Sequence, residues 1–189
     1  YNRMQKILLS ELGYGDVPVI APGAPESRQF YIEYDMRGRK GAELYMRALA
    51  GAFTVDYLSK YLYRIRPYEK VKGSADAVYS ELLSQLCELV SNSKNKRVVD
   101  SLSSLLELAE LKFAAVERLD IEKPLIGIVG EIYIRNHPFS NNEIVKKVEA
   151  MGGEVQLPDF GEWGYHTSAT GKLDNSIKQK DLYYRMVQG

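Results

Sequence analysis

The chain has 189 residues and a mass of 21.4 kDa, which suits one domain, or one domain with part of another. Hydrophobic residues make up 45%, enough for a core and unlike a collagenous or disordered chain; 25 basic against 25 acidic residues give no net charge, which argues against general nucleic-acid binding. The one cysteine, Cys87, cannot form an internal disulfide, which excludes a secreted, stapled scaffold and leads one to expect a reducing, cytoplasmic setting.

Asn2 to Leu12 reads as a helix with Met4, Ile7, Leu8 and Leu12 on one face and Gly13 at the position of a C′ glycine. Val17 to Ile20, bounded by Pro18 and Pro22-Gly23, suggests a short strand end, and Phe30 to Tyr34 alternates weakly like another. Three helices should follow. Gly41 to Ile65 carries Leu44, Ala48, Ala52, Val55, Leu58, Leu62 and Ile65 at spacings of three or four, so one face is buried, and Pro67 and Gly73 end it. Ala75 to Val90 places Tyr79, Leu83, Leu86, Cys87 and Val90 together, which makes Cys87 a packed residue rather than a reactive thiol. Lys96 to Leu119 places Val98, Leu102, Leu105, Ala109, Phe113 and Val116 together, after a linker over 91–95. Every apolar run is broken by charge short of the ~20 residues a membrane helix needs, and Tyr1-Asn2-Arg3-Met4 lacks the features of a signal peptide. The chain lacks an initiator Met and stops, over Tyr183 to Gly189, inside a helical pattern, so it reads as a piece of a longer protein that completes no reaction alone.

The best-defined segment lies beyond Pro124. Leu125-Ile126-Gly127-Ile128-Val129 is a continuous apolar run, as expected of a strand covered on both faces. Ser140-Asn141-Asn142-Glu143 has the spacing of a capping box, with Phe139 and Ile144 at the staple positions, so a helix should begin at Asn141 and run to Met151. Gly152-Gly153 ends it, and Glu154 to Leu157 reads as a second strand. Strand, helix and strand within about 34 residues make a βαβ unit of Rossmann-like size, with parallel strands and a right-handed crossover. The expected architecture is α/β and helix-rich: a Rossmann-like parallel βαβ unit with a large helical insertion. Its segments are the end of one α/β segment over 1–36, a helical region over 37–122 and a Rossmann-like segment over 123–189, truncated at its C-terminus.

In open parallel sheets ligands gather beyond the carboxyl ends of the strands. That edge should hold the loops 130–140 and 159–167. Gly130, Glu131, Asn136, Ser140 and Asn141 are the candidate cofactor- or ligand-binding residues: Gly130 lets the backbone turn, and a helix beginning at Asn141 would aim free N–H groups at the same space. Glu131 fits least well, since a carboxylate beside an anion site repels the anion; a hydrogen bond to the neighbouring loop is its equal alternative. His137 and His166 lie in these loops, but with Glu131, Asp159 or Glu162 they match no metal-ligand spacing, so no metal site is expected. Gly127 and Gly130 fall short of a dinucleotide fingerprint, and no Walker A, G-x-S-x-G or H-E-x-x-H motif occurs. Charge is uneven: 28–72 holds ten Lys/Arg against five Asp/Glu, and 120–163 four against eight; the basic half reads as a solvated helical face or as a surface for a phosphate-bearing ligand or an acidic partner. Tyr57, Tyr61 and Tyr63, beside Arg64 and Arg66, suit either a protein interface or a helix–helix contact.

The opening Tyr1-Asn2-Arg3-Met4-Gln5-Lys6 through Val17-Pro18-Val19-Ile20, Gly127-Ile128-Val129-Gly130-Glu131-Ile132-Tyr133 and Phe139-Ser140-Asn141-Asn142 resemble the CoA-substrate-specific enzyme activases, large proteins related to the 2-hydroxyacyl-CoA dehydratase components. The resemblance extends from Tyr1 to about Trp163 and is clearest from Pro124 to Trp163. It implies Rossmann-like domains with helical insertions, iron–sulfur clusters on cysteines, an ATP-hydrolysing activator that supplies an electron, and radical dehydration of 2-hydroxyacyl-CoA in anaerobic metabolism. The partners it implies are other domains of the parent chain or an activator subunit, and an acyl-CoA substrate; iron–sulfur cluster and ATP would belong to the parent protein. This sequence departs from the pattern where it matters. The cysteine that relatives place upstream of the Tyr-Asn-Arg segment is absent, since the chain begins at Tyr1, and Pro158-Asp159-Phe160-Gly161-Glu162-Trp163 stands where dehydratase components have another. A cluster needs several thiolates, so this chain is expected to hold no cofactor of its own, and no catalytic residue carries over. The alternative is a non-catalytic interaction domain docking an activator or partner subunit.

Overall fold

The computed structural model describes residues 2–19, 39–92 and 97–162. The chain divides into two compact units, Tyr1–Ala48 and Leu49–Gly189, and is helix-rich, with one small parallel sheet among the described residues.

In the first unit, α1 spans Asn2–Glu11. It closes as its sequence dictates: Gly13 adopts φ 84°, its N–H donates to the Ser10 carbonyl, and the Tyr14 N–H donates to the Leu9 carbonyl at 2.8 Å. This paired arrangement satisfies the last carbonyls of the helix and needs a residue free of a Cβ at the left-handed position. The apolar face is not buried, however; Met4, Ile7, Leu8 and Leu12 are all exposed, so the periodicity marks a face without a cover among the described residues. Val17 to Val19 form no strand. Ile20 and the segment Phe30 to Tyr34 lie outside the described residues, as does the linker portion 93–96.

A long helix, α2 (Arg39–Ile65), runs from the first unit into the second. In the second unit it is followed by a 3-10 turn, Arg66–Tyr68, with Pro67 inside it, then by α3 (Ser74–Ser91) and α4 (Val98–Ala114). The core is formed by Leu58, Leu62 and Ile65 from α2, Ala75, Leu82 and Leu86 from α3, and Leu102, Leu105, Ala109 and Phe113 from α4, closed by Val116; the α2 and α4 residues belong to the expected stripes, whereas on α3 only Leu86 does, with Tyr79, Leu83 and Val90 half-buried beside it. At Gly51 the helices approach closely: an added Cβ would stand 3.1 Å from Val90 Cγ2. Cys87 is exposed, against the expectation. The buried line on α3 runs 75, 82, 86, and residue 87 is rotated about 100° from Leu86, off that line.

Two polar devices hold the helices. Glu69, 3% exposed, accepts hydrogen bonds from the N–H groups of Gly73 (2.8 Å) and Ala75 (2.9 Å) and from the Ser74 hydroxyl (3.2 Å). It thereby caps α3 from outside, where a carboxylate also suits the helix dipole. Tyr57 and Tyr61 of α2 both donate to Glu110 of α4, at 2.7 and 3.1 Å, so these tyrosines make a helix–helix contact.

The α/β segment contains β1 (Leu125–Gly127), α5 (Ile132–Asn136), α6 (Ile144–Ala150) and β2 (Glu154–Gln156). The strands pair in parallel with Leu125 opposite Glu154, Ile126 opposite Val155 and Gly127 opposite Gln156. Gly153 permits the helix-to-strand turn, since a Cβ there would lie 2.9 Å from Val148 Cγ1 and 3.0 Å from Ile126 Cγ1. Two expectations are corrected. The strand is three residues rather than five, and it is exposed; Val129 is 85% exposed. A continuous apolar run suits a strand whose two faces are covered by helices, and the described elements leave β1 exposed along its length. The capping box does not form either. α6 begins at Ile144 behind Glu143, which sits at φ 55° with no side-chain cap, and Ser140 is drawn instead to His137.

Candidate functional site

The carboxyl ends of β1 and β2 open onto a cleft of about 700 Å³, large enough for a small organic ligand. One wall is a face of α2: Ala52, Val55, Asp56, Ser59, Lys60 and Tyr63, residues at helical spacing. Tyr79 of α3 adjoins it, its hydroxyl 3.4 Å from Ser59 Oγ. The opposite wall is the exit of β1, with Ile132, Tyr133 and Asn136 of α5, then His137 and Pro138. The floor is the exit of β2, Leu157 to Phe160.

Local bonds fix each part. Asp56 reaches across from α2 and accepts from the Phe160 N–H (3.2 Å) and the Gly161 N–H (2.9 Å), which fastens the helical turn over 160–162 to the wall. Gly161 must be small there: an added Cβ would lie 3.2 Å from Phe53 Cδ1. Burial pushes the Asp56 carboxyl up from its ordinary range, against the two backbone donors that favour the charged form. Lys60 pairs with Asp159. Burial likewise raises the Tyr63 phenol. Tyr133 and His137 stack, ring centroids 5.0 Å apart, and form a flat aromatic wall. The Ser140 N–H donates to His137 Nδ1 at 3.3 Å, which gives Nδ1 the acceptor role in that contact.

The five residues singled out in the sequence have these places. Glu131 is the N-cap of α5 and accepts from the Ile134 N–H at 2.9 Å, so the negative charge at that helix start is the protein's own. Gly130, at φ 153°, offers its carbonyl to Arg135 Nη1 at 3.3 Å. Asn136 lines the cleft, with its Nδ2 donating to the Ile132 carbonyl at 2.8 Å. Ser140 Oγ lies 2.8 Å from His137 Nδ1. Asn141 ties the two short helices: Nδ2 donates to the carbonyls of Ile134 (3.1 Å) and Arg135 (2.9 Å), and Oδ1 accepts from the Ile144 N–H at 3.3 Å. Of the five, Asn136 lines the cleft, while the others shape the loop behind it. His166 lies outside the described residues, and among those described no three His, Cys, Asp or Glu side chains form a group fit for a metal.

Asn141 therefore does the work that the sequence assigned to Ser140. Asn141→Ala is expected to lower stability by about 1–2 kcal/mol, the loss of a cap and of two further acceptor-donor pairings. Ser140→Ala should cost less than half as much, and urea unfolding midpoints of the two variants would reveal a reversed order.

Asp56, Ser59 and Lys60 were missed as site residues because they read as an ordinary helix face, and Tyr63 was read as an interface or helix–helix residue. Their spacing of three, four and seven along α2, beside the apolar stripe, is the signal that could have found them. No family model matches the sequence, and no curated protein or solved structure matches it significantly.

Proposed function

We propose that this chain is part of a 2-hydroxyacyl-CoA dehydratase- or activase-like protein, in which it supplies scaffold and a ligand-facing rim to an ATP-dependent iron–sulfur electron-transfer system. The observation that carries the ligand-facing part is the cleft at the carboxyl ends of two parallel strands, the edge at which α/β sheets hold ligands. The strand–helix–strand order supports a Rossmann-like unit, completed in the parent by further strands beside the exposed β1. Iron and ATP would be held by other parts of that protein, because this chain has one thiol, Cys87. An acyl-CoA would present its uncharged acyl end to the cleft, since the one lysine among the described residues that line it is engaged by Asp159.

A second reading, a domain that docks an activator or partner subunit, is favoured by the exposed apolar face of α1. One experiment weighs both. The intact parent protein, purified without oxygen, should contain iron, hydrolyse ATP with its activator and dehydrate a 2-hydroxyacyl-CoA. Ala52→Trp, which fills the cleft, should abolish dehydration with iron content unchanged, whereas a docking role predicts that Leu8→Glu releases the activator and that the cleft variant is silent. A parent protein free of iron and without ATP hydrolysis would sink the first reading; retained activator binding in Leu8→Glu would sink the second.

A further inference from the structure

We propose that the cleft between α2 and α5 selects a small organic cation with an aromatic or apolar body. The inference rests on the cleft being a ligand site, and it competes with the acyl-CoA reading for the same cleft: a cationic body would stand where that reading seats an uncharged acyl end. Three observations converge. The walls offer ring faces and edges from Tyr63, Tyr133 and Phe160, which attract cations through their quadrupoles. Among the described residues, the ionised groups lining the cleft are two carboxylates, Asp56 and Asp159, against one amine, Lys60. Lys60 is committed to Asp159, so of these three groups the one left without an ion-pair partner is the Asp56 carboxylate. Asp56 receives two backbone N–H groups, but among the ion pairs of the described residues none reaches it. A partly buried carboxylate of this kind gains most from a ligand that brings its own positive charge, and it repels an anion for the same reason.

Three probes of nearly one shape isolate the charge: phenethylammonium, 2-phenylethanol and 3-phenylpropionate, each titrated into the whole chain by calorimetry at about pH 8, where an imidazole is uncharged. Phenethylammonium should bind about tenfold more tightly than the alcohol, and the carboxylate more weakly than either. Asp56→Asn, which removes the charge and keeps an acceptor for one of the two N–H groups at 160 and 161, should bring the cation and the alcohol to within about twofold of each other. Ala52→Trp should abolish binding of all three while circular dichroism shows the helices retained. Equal binding of cation and alcohol in the unaltered chain overturns the inference and leaves the cleft as a ligand site. A cation preference that survives in Asp56→Asn overturns the role of Asp56. Failure of all three probes to bind overturns both the inference and the reading of the cleft as a ligand site for bodies of this size.

Discussion

Arg66→Met is expected to lower stability by about 3–5 kcal/mol, the usual effect of removing one partner from a buried ion pair. Arg66 stands just past α2 and its side chain is 11% exposed. Its guanidinium makes a two-pronged contact with Glu149 of α6, Nε to Oε2 at 2.8 Å and Nη2 to Oε1 at 2.9 Å, and Nη1 reaches Asp76 of α3 at 2.8 Å. The cation also lies 5.6 Å from the Tyr63 ring centroid. Burial alone would lower the pKa of Arg66, but Glu149 and Asp76 more than offset it and hold the group firmly charged. One side chain thus joins the helical layer to the helix that leads into β2, and truncating it strands the Glu149 carboxylate, whose side chain is 10% exposed. Arg66→Lys should recover little, because an ammonium cannot meet both carboxylate oxygens in the planar fork. Arg66→Met combined with Glu149→Met should recover most of the loss, since two apolar residues leave no charge without a partner. Urea unfolding of the three variants measures this; a loss below about 1 kcal/mol in Arg66→Met would mean that the bridge is not maintained in solution.

The helical layer was legible in the sequence because its information is local. Leu58, Leu62 and Ile65, or Leu102, Leu105, Ala109 and Phe113, repeat at the helical period, and Pro67 stops α2 where the pattern stops. The parallel pairing of β1 with β2 was legible for a similar reason, as an apolar run, a helix and a second run fit one crossover. Burial of β1 was not. A continuous apolar run says that both faces of a strand suit cover, and says nothing about which element provides it. The helix start at Asn141 was misread because a capping box is a pattern of residue types, and His137, three residues earlier, competes for the Ser140 hydroxyl. The cleft was half legible: the rule about strand ends pointed to the edge where the cleft lies and to Asn136, which lines it. Its other wall comes from residues some seventy positions earlier in α2, which no spacing within the loop could reveal.

Phe113→Ala is expected to lower stability by about 3–5 kcal/mol, the range for emptying a fully buried aromatic site. Phe113 has no exposed surface and is among the largest fully buried side chains of the described residues. It stacks on Tyr61, ring centroids 5.5 Å apart and planes 12° from parallel, and such a pair contributes about 0.5–1.5 kcal/mol beyond its area. Tyr61 is also held by Glu110, so it cannot swing in to fill the space without giving up that hydrogen bond. The cavity should therefore persist rather than collapse, which places the loss toward the upper part of the range. Phe113→Leu keeps most of the volume and should cost about 1–2 kcal/mol, mainly the ring contact. The loss should also reach the cleft only weakly, because Val55, Ser59 and Tyr63 line it from the part of α2 turned away from Tyr61 by about 100° or more for most positions. Binding of phenethylammonium to Phe113→Leu, measured well below its unfolding transition, should thus match the unaltered chain within about twofold. A cost for Phe113→Ala near that of Phe113→Leu would show that the helices re-pack around the missing ring and that α4 is less firmly seated than its buried stripe implies.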